Sequence, residues 1–263
     1  MIMYIDVHCH LTGEDYENVG GVSAVVERAK ADGVGRIICS GCDLDCSFEG
    51  AEIAQKYDGV YFCTGFHPGE LKKYKEGDLD KIASLCSDEK CVAVGEIGLD
   101  YHFEDNPEPS FQRELFIRQM EIADEKGLPV VVHSRDAAGE TFDILEAHKS
   151  LLKHGFLLHC YSYSPEMAKR FLALGAYFSF GGPYTFKNAR KVVDSVREIP
   201  KERILSETDC PFLTPEPYRG QFPNEPKNIP HVVKRIAEIK EISVEEMRSQ
   251  IYENAKRLFF KLR

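Results

Sequence analysis

"YIDVHCHL", residues 4–11, is the first apolar run of the chain, and how it is read decides the fold. As a β-strand it sends alternate side chains to opposite faces, so His8 and His10 share one face while Cys9 points away. Two imidazoles then converge where the strand ends. The spacing alone serves a hydrogen-bonded histidine pair as well as a pair of metal ligands, and the choice falls to the rest of the chain.

Working outward, the same grammar recurs: a short β-branched run, a polar loop, then a segment of helical period. The strand candidates are "MYIDVH" (3–8), "RIIC" (36–39), "VYFCTG" (60–65), "CVAVGE" (91–96), "PVVVH" (129–133), "GFLLHC" (155–160), "AYFSF" (176–180) and "RILSETD" (203–209). Amphipathic stretches lie between them at 22–31, 48–57, 79–85, 110–125, 137–147, 165–174, 188–198 and 229–240. A last one, 243–262, begins with "SVEE", a capping-box signal for one more helix. Gly33, Gly127 and Gly175 close helices ahead of the next strand. Continuously apolar strands suit a parallel sheet covered by helices. Eight β-then-α units with no Ser/Gly-rich linker, repeat or low-complexity segment predict a single-domain α/β fold over residues 1–263. The expected form is a (β/α)8 TIM barrel with an extra C-terminal helix, because no G-x-G-x-x-G follows the first strand to favour an open dinucleotide-binding sheet.

In such barrels the active site forms at the C-terminal ends of the strands. His8 and His10 stand there on the first candidate strand, Glu96 on the fourth, His133 on the fifth, His159 on the sixth and Asp209 on the eighth. A catalytic zinc usually takes three protein ligands, so this set is large enough for two divalent ions, with Glu96 able to bridge them. Imidazole suits Zn, Fe or Ni, and the carboxylates also suit Mg or Mn.

With 43% hydrophobic and 29% charged residues, the composition is that of an ordinary globular protein rather than a disordered or fibrous one. The apolar start is broken at Asp6 without a basic region, and no run approaches the roughly 18 apolar residues of a membrane span, so a cytoplasmic protein is expected. A net charge of −10 argues against broad adhesion to polyanions but not against a short nucleic-acid end held by metals and a few cations. The nine cysteines then read as reduced thiols. Cys39, Cys42 and Cys46 have a C-x2-C-x3-C spacing that could hold zinc or an iron–sulfur cluster, yet Cys39 ends a strand and no later C-x-x-C completes a set.

"DVHCHL" (6–11), "GFHP" (65–68), "VGEIGLDY" (94–101), the helix pattern at 112–123, "LPVVVHSRDA" (128–137), "HCYS" (159–162) and "ETDCP" (207–211) together resemble the TatD-type metal-dependent hydrolases, a branch of the amidohydrolase superfamily. The resemblance implies that His8, His10, Glu96 and Asp209 hold one ion and Glu96, His133 and His159 the other. It implies that His67 and Arg135 line the substrate side. Glu207, two residues before Asp209, is grouped with them as a residue that could orient a neighbour, a barrel-lining salt bridge being the alternative. Two cations about 3.5–4 Å apart would generate a metal-bound hydroxide as nucleophile, with Asp209 and Glu96 as the catalytic carboxylates and Asp209 steering its proton.

The resemblance further implies phosphodiester hydrolysis at DNA or RNA ends by a 3'-to-5' exonuclease; the sequence itself gives no sign of a membrane or of an obligate protein partner. The residues themselves show no aromatic-plus-basic ladder for single strands. Hydrolysis of a small-molecule amide or ester, or a non-catalytic barrel acting as a scaffold, are the alternatives. One departure is local: where the family often has R-G, two residues, then N-E/Q-P, this chain has "RGQFPNEP" (219–226), one residue longer and without a basic residue between. His102 has no expected role.

Overall fold

The computed structural model describes residues 3–187 and 189–262. Strands and helices alternate along the chain: β1 (Tyr4–Cys9), α1 (Gly21–Ala31), β2 (Val34–Ser40), α2 (Leu44–Lys56), β3 (Val60–Thr64), α3 (Asp78–Leu85), β4 (Cys91–Asp100), α4 (Pro109–Lys126), β5 (Val130–Arg135), α5 (Ala138–Ala147), β6 (Phe156–Leu158), α6 (Pro165–Ala173), β7 (Tyr177–Phe180), α7 (Arg190–Glu198), β8 (Ile204–Ser206), α8 (Ile229–Lys240) and α9 (Val244–Leu258). The strands form one parallel sheet in the order β1 to β8. Closure runs from the end of β8 back to β1: Asp209 N donates to the His8 carbonyl at 3.0 Å and His10 N to the Cys210 carbonyl at 2.7 Å. The result is the expected TIM barrel, with α9 following the eighth unit.

The strands are apolar because both of their faces are covered. All ten residues of β4 and all five of β3 are buried. Each fully buried Val or Ile contributes about 1.5–3 kcal/mol by leaving water, so the barrel wall carries much of the stability. Helix starts follow local chemistry. Asp43 accepts from Cys46 N at 2.8 Å to cap α2, and Ser243 accepts from Glu246 N at 3.1 Å to cap α9. Only half of the predicted capping box forms there, since the Glu246 carboxylate turns to Lys201 at 2.6 Å. The predicted helix start at Asn188 lies outside the described residues, and α7 is described from Arg190.

Strand ends differ from the sequence expectation in ways that matter for the site. β4 continues to Asp100, so Glu96 lies inside the strand rather than at its end. β6 and β8 are only three residues each, so His159, Glu207 and Asp209 stand on the segments just beyond them. Asp209 has φ +53°, a left-handed conformation that Asp tolerates better than most residues, and a strand cannot continue through it. Two glycines explain how β4 lies so close to β5. A Cβ at Gly95 would meet Val131 Cβ at 2.6 Å, and one at Gly98 would collide with the His133 carbonyl. Glu96 and His133 therefore approach across a gap that only glycine permits. Among the described residues, no helix is long and apolar enough to cross a membrane.

Candidate metal centre

Glu96, 3% exposed, sits at the centre of the rim residues. Its Oε2 lies 3.2 Å from His8 Nε2 and 3.7 Å from His10 Nε2. Its Oε1 lies 2.6 Å from His133 Nδ1 and 2.7 Å from His159 Nε2. Asp209 Oδ1 closes the first side, 3.4 Å from His10 Nε2 and 3.7 Å from His8 Nε2. The donor atoms of His8, His10 and Asp209 lie within 4.8 Å of one another, as do those of Glu96, His133 and His159. Thus the structure brings all six predicted residues together in two sets that meet at one carboxylate. Buried His8 Nε2 has no hydrogen-bond partner despite its nearness to Glu96. An unpartnered imidazole nitrogen aimed into a nest of carboxylate oxygens fits a divalent cation.

Three of the imidazoles are hydrogen-bonded from behind and the fourth, His159, faces a carboxylate there; of these partners only Glu207 was anticipated from sequence, as a residue that could orient a neighbour. Ser40 Oγ lies 3.0 Å from His8 Nδ1, and the Ser40 carbonyl lies 3.1 Å from His10 Nδ1. Asp100 Oδ2 is 3.2 Å from His133 Nε2. Glu207 Oε2 is 3.7 Å from His159 Nδ1 and accepts from Ser179 Oγ at 2.5 Å. Such outer partners fix the ring orientation and tautomer of metal-binding histidines. Asp100 had a readable signal: with Gly98 between, it shares the alternation of Glu96 along one strand. Ser40 and Ser179 had none, because nothing local distinguishes them from other strand-end serines. Asp100→Asn and Glu207→Gln should each weaken cation affinity by about 10- to 100-fold while leaving the circular dichroism of the fold unchanged. Competition against a chelating dye measures this, and unaltered affinity would remove the positioning role.

Charge is balanced within the cluster. Burial alone would push the Glu96 carboxyl up, but His159, His67 and His8 hold it well below the usual carboxylate range. Asp209 is held down against burial by His10, His159 and His8. Burial lowers His10, and Asp209 and Glu96 more than reverse this, pushing it up to about 10. Against burial, Asp100 and Glu96 raise His133, and Glu96 and Glu207 raise His159. His8 moves down, under burial and the proximity of His159.

A cation must therefore displace protons from the cation-free centre, and its uptake should tighten as pH rises. Calorimetry of Mn²⁺ or Zn²⁺ uptake in two buffers of different ionisation enthalpy should show proton release. The chelated protein has the opposite trend in stability. His10 is raised from 6.5 to about 10, so its contribution is complete below the lower value and lost as pH climbs through the higher one. Its thermal midpoint should fall over that interval. An unchanged midpoint, or cation uptake without proton release, would contradict this charge balance.

Asp209 is positioned by buried polar contacts on both sides. Asp6, on β1, accepts from Thr208 N at 3.0 Å and Thr208 Oγ1 at 2.5 Å. Asn224 donates through Nδ2 to the Thr208 carbonyl at 3.0 Å and the Phe212 carbonyl at 2.7 Å. The unusual "RGQFPNEP" loop thus serves as a brace for the segment carrying Asp209, and Arg219 lies over the Phe186 ring at 4.0 Å.

Comparison with known proteins agrees with this geometry. The family model described as TatD related DNase matches residues 5–260. The chain belongs to the TatD family. It is 43% identical over 257 residues to YabD of Bacillus subtilis, described as an uncharacterized metal-dependent hydrolase, covering 98% of this chain and 99% of that one. YcfH of Escherichia coli K12, described in the same words, is 37% identical, with 97% and 95% covered. The crystal structure of YjjV, a TatD homologue from Escherichia coli K12, superposes with a TM-score of 0.92 at 31% identity, covering 99% of each chain. The protein is a metal-dependent hydrolase of the TatD family.

The remaining predicted positions divide. His67 joins the centre itself: its Nε2 is 3.6 Å from Glu96 Oε1 and its ring stands edge-on to His133 at 4.3 Å. Its Nδ1 also accepts from Gly69 N at 3.0 Å, shaping the turn that begins at Pro68. Burial and then His133 push it down to about 3, so near neutrality it offers an N–H but no positive charge. Arg135 is exposed and stacks on Phe103 with its guanidinium 4.9 Å from the ring centroid, while Asp136 pairs with His102 at 2.8 Å. Arg135 also lines a cavity of about 240 Å³ shared with His133, His159, Asp209, Tyr161 and Leu213. Glu207, placed on the substrate side from sequence, is fully buried and turned toward His159 and Ser179, away from that opening. Among the described residues, no group of three close metal-binding atoms contains Cys39, Cys42 or Cys46.

Proposed function

We infer that this TatD-family protein is a two-metal phosphodiesterase that shortens nucleic acid from the 3' end. The observation that carries the reading is the division of Glu96, one oxygen toward His8 and His10 and the other toward His133 and His159. That division suits a carboxylate shared by two cations: His8, His10, Asp209 and Glu96 would hold one, and Glu96, His133 and His159 the other. Bound there, divalent ions would supply Lewis-acid stabilisation of phosphoryl oxygens and lower the pKa of water toward neutrality.

The chain's own residues do the rest. Asp209, which lines the cavity beside the cluster, accepts the proton released by the attacking water. Asp100 and Glu207 hold the His133 and His159 rings, and Ser40 holds those of His8 and His10, so the donors need no rearrangement as charge develops. Arg135, beside the cavity, offers a planar guanidinium to a phosphate oxygen, and His67 offers Nε2–H from the inner side. DNA is the favoured substrate, RNA ends being handled by the same phosphate chemistry.

The test is an assay of chelated protein, refilled with single ions, on end-labelled single-stranded oligonucleotides alongside small amide and ester substrates. A ladder shortening from the 3' end, appearing only with added divalent ion, is the expected outcome. Turnover of the amide or ester with the oligonucleotide intact would transfer the activity to small molecules, and no turnover with no cation uptake would leave a binding scaffold.

A further inference from the structure

The end of β2 carries more of the centre than its own residues suggest. Ser40 contacts His8 and His10 through Oγ and its carbonyl, at 3.0 and 3.1 Å. Glu96 N donates to the Gly41 carbonyl at 3.0 Å, and His67 N to the Cys42 carbonyl at 2.8 Å. Cys42 adds a sulfur 3.3 Å from His10 Nδ1. Residues 40–42 therefore touch four side chains or backbones of the centre in succession. Cys46 then turns back from the first turn of α2, where Asp43 caps its N–H, and directs its thiol to Cys42 with the sulfurs 3.8 Å apart.

Other thiols also face one another, Cys9 with Cys210 and Cys86 with Cys91, but each of these four is at most 2% exposed. Cys42 and Cys46 are both partly exposed, so a small oxidant dissolved in water can reach them. Bonding requires the sulfurs to close by roughly 1.8 Å, a movement shared between Cys46 on α2 and Cys42, which lies in the segment that contacts His10 and receives Glu96 and His67.

We propose that Cys42 and Cys46 form a reversible oxidation site for hydroperoxides, coupled to the metal centre through His10. The Cys42 sulfur, toward which Cys46 donates its thiol hydrogen, attacks the peroxide. The O–O bond breaks, an alcohol or water leaves with the thiol proton, and Cys42 becomes a sulfenic acid. The Cys46 sulfur then displaces the hydroxyl group, the S–S bond forms, and water departs with the second thiol proton. Two thiols are oxidised and one peroxide is reduced. The coupling to cation binding rests on the reading of His10 as a ligand; the thiol chemistry does not.

The experiment treats the reduced, cation-loaded full chain with hydrogen peroxide, alkylates it under denaturing conditions and weighs tryptic peptide 37–56, which contains Cys39, Cys42 and Cys46. Oxidation should remove about 2 Da and leave one alkyl group, on Cys39, where the reduced control carries three. Cation affinity should fall by about 10- to 100-fold and return with dithiothreitol, while Cys46→Ser keeps normal affinity when reduced and forms no disulfide with peroxide, its Cys42 stopping at the sulfenic acid. Three alkyl groups after oxidation, or an over-oxidised Cys42 with no disulfide, would overturn the site. A disulfide with unchanged cation affinity would overturn the coupling. Reduced protein that binds no cation at all would instead fault the metal reading, and the peptide mass would still decide the thiol pair.

Discussion

If Glu96 is shared by two cations as proposed, Glu96→Gln should lower cation content by more than half and reduce kcat on the order of 10³-fold or more. The expectation follows from the nitrogens of His8 and His10 near one Glu96 oxygen and of His133 and His159 near the other, all within 3.7 Å. An amide keeps one oxygen, loses the negative charge and turns an NH2 group toward one histidine pair, so it cannot serve both cations. In the cation-free protein the same change removes a carboxylate that holds His10, His133 and His159 in their raised state. Proton release on cation uptake should shrink accordingly. Elemental analysis by mass spectrometry and single-turnover assays read the two effects, and a variant with full occupancy and full rate would eliminate the bridging role.

The second large effect is expected at Asp209→Asn, with a loss in kcat of about 10²- to 10⁴-fold at saturating cation, because the side chain keeps an oxygen for coordination but not its basicity. Asp209 reaches its place through a left-handed backbone conformation and is braced by Asp6 and Asn224 acting on the residues around it. The substitution leaves those braces intact, which separates chemistry from folding. Rates measured against pH at saturating cation should show the difference: the acid limb of the wild-type profile, due to protonation of the Asp209 carboxylate, should be absent from the variant. Equal profiles would place the proton acceptor elsewhere.

Much of the centre could be read from the chain because a barrel turns strand order into a ring. His8 and His10 are legible from strand alternation, and Glu96, His133, His159 and Asp209 from their recurrence near the ends of apolar runs. The exact strand limits were not legible. β4 extends past Glu96 because Gly95 and Gly98 let it lie against β5, a close approach visible only when both strands are in place. Nor was the neutrality of His67, which comes from burial among other imidazoles rather than from its neighbours in sequence. Glu207 was grouped with substrate contacts but also read as a residue that could orient a neighbour; its burial against Ser179 and His159 removes it from the substrate side and puts it behind a ring of the centre.

The chain by itself determined the eight β/α units, the parallel barrel and the set of residues able to hold cations, since hydrophobic period and residue chemistry are local properties. Tertiary structure decided which oxygen of Glu96 faces which imidazoles, which groups stand behind the rings, and that the thiols of Cys42 and Cys46 lie together beside His10. Those relations depend on angles and distances of a few ångströms between segments far apart in sequence, and only packing of the closed barrel sets them.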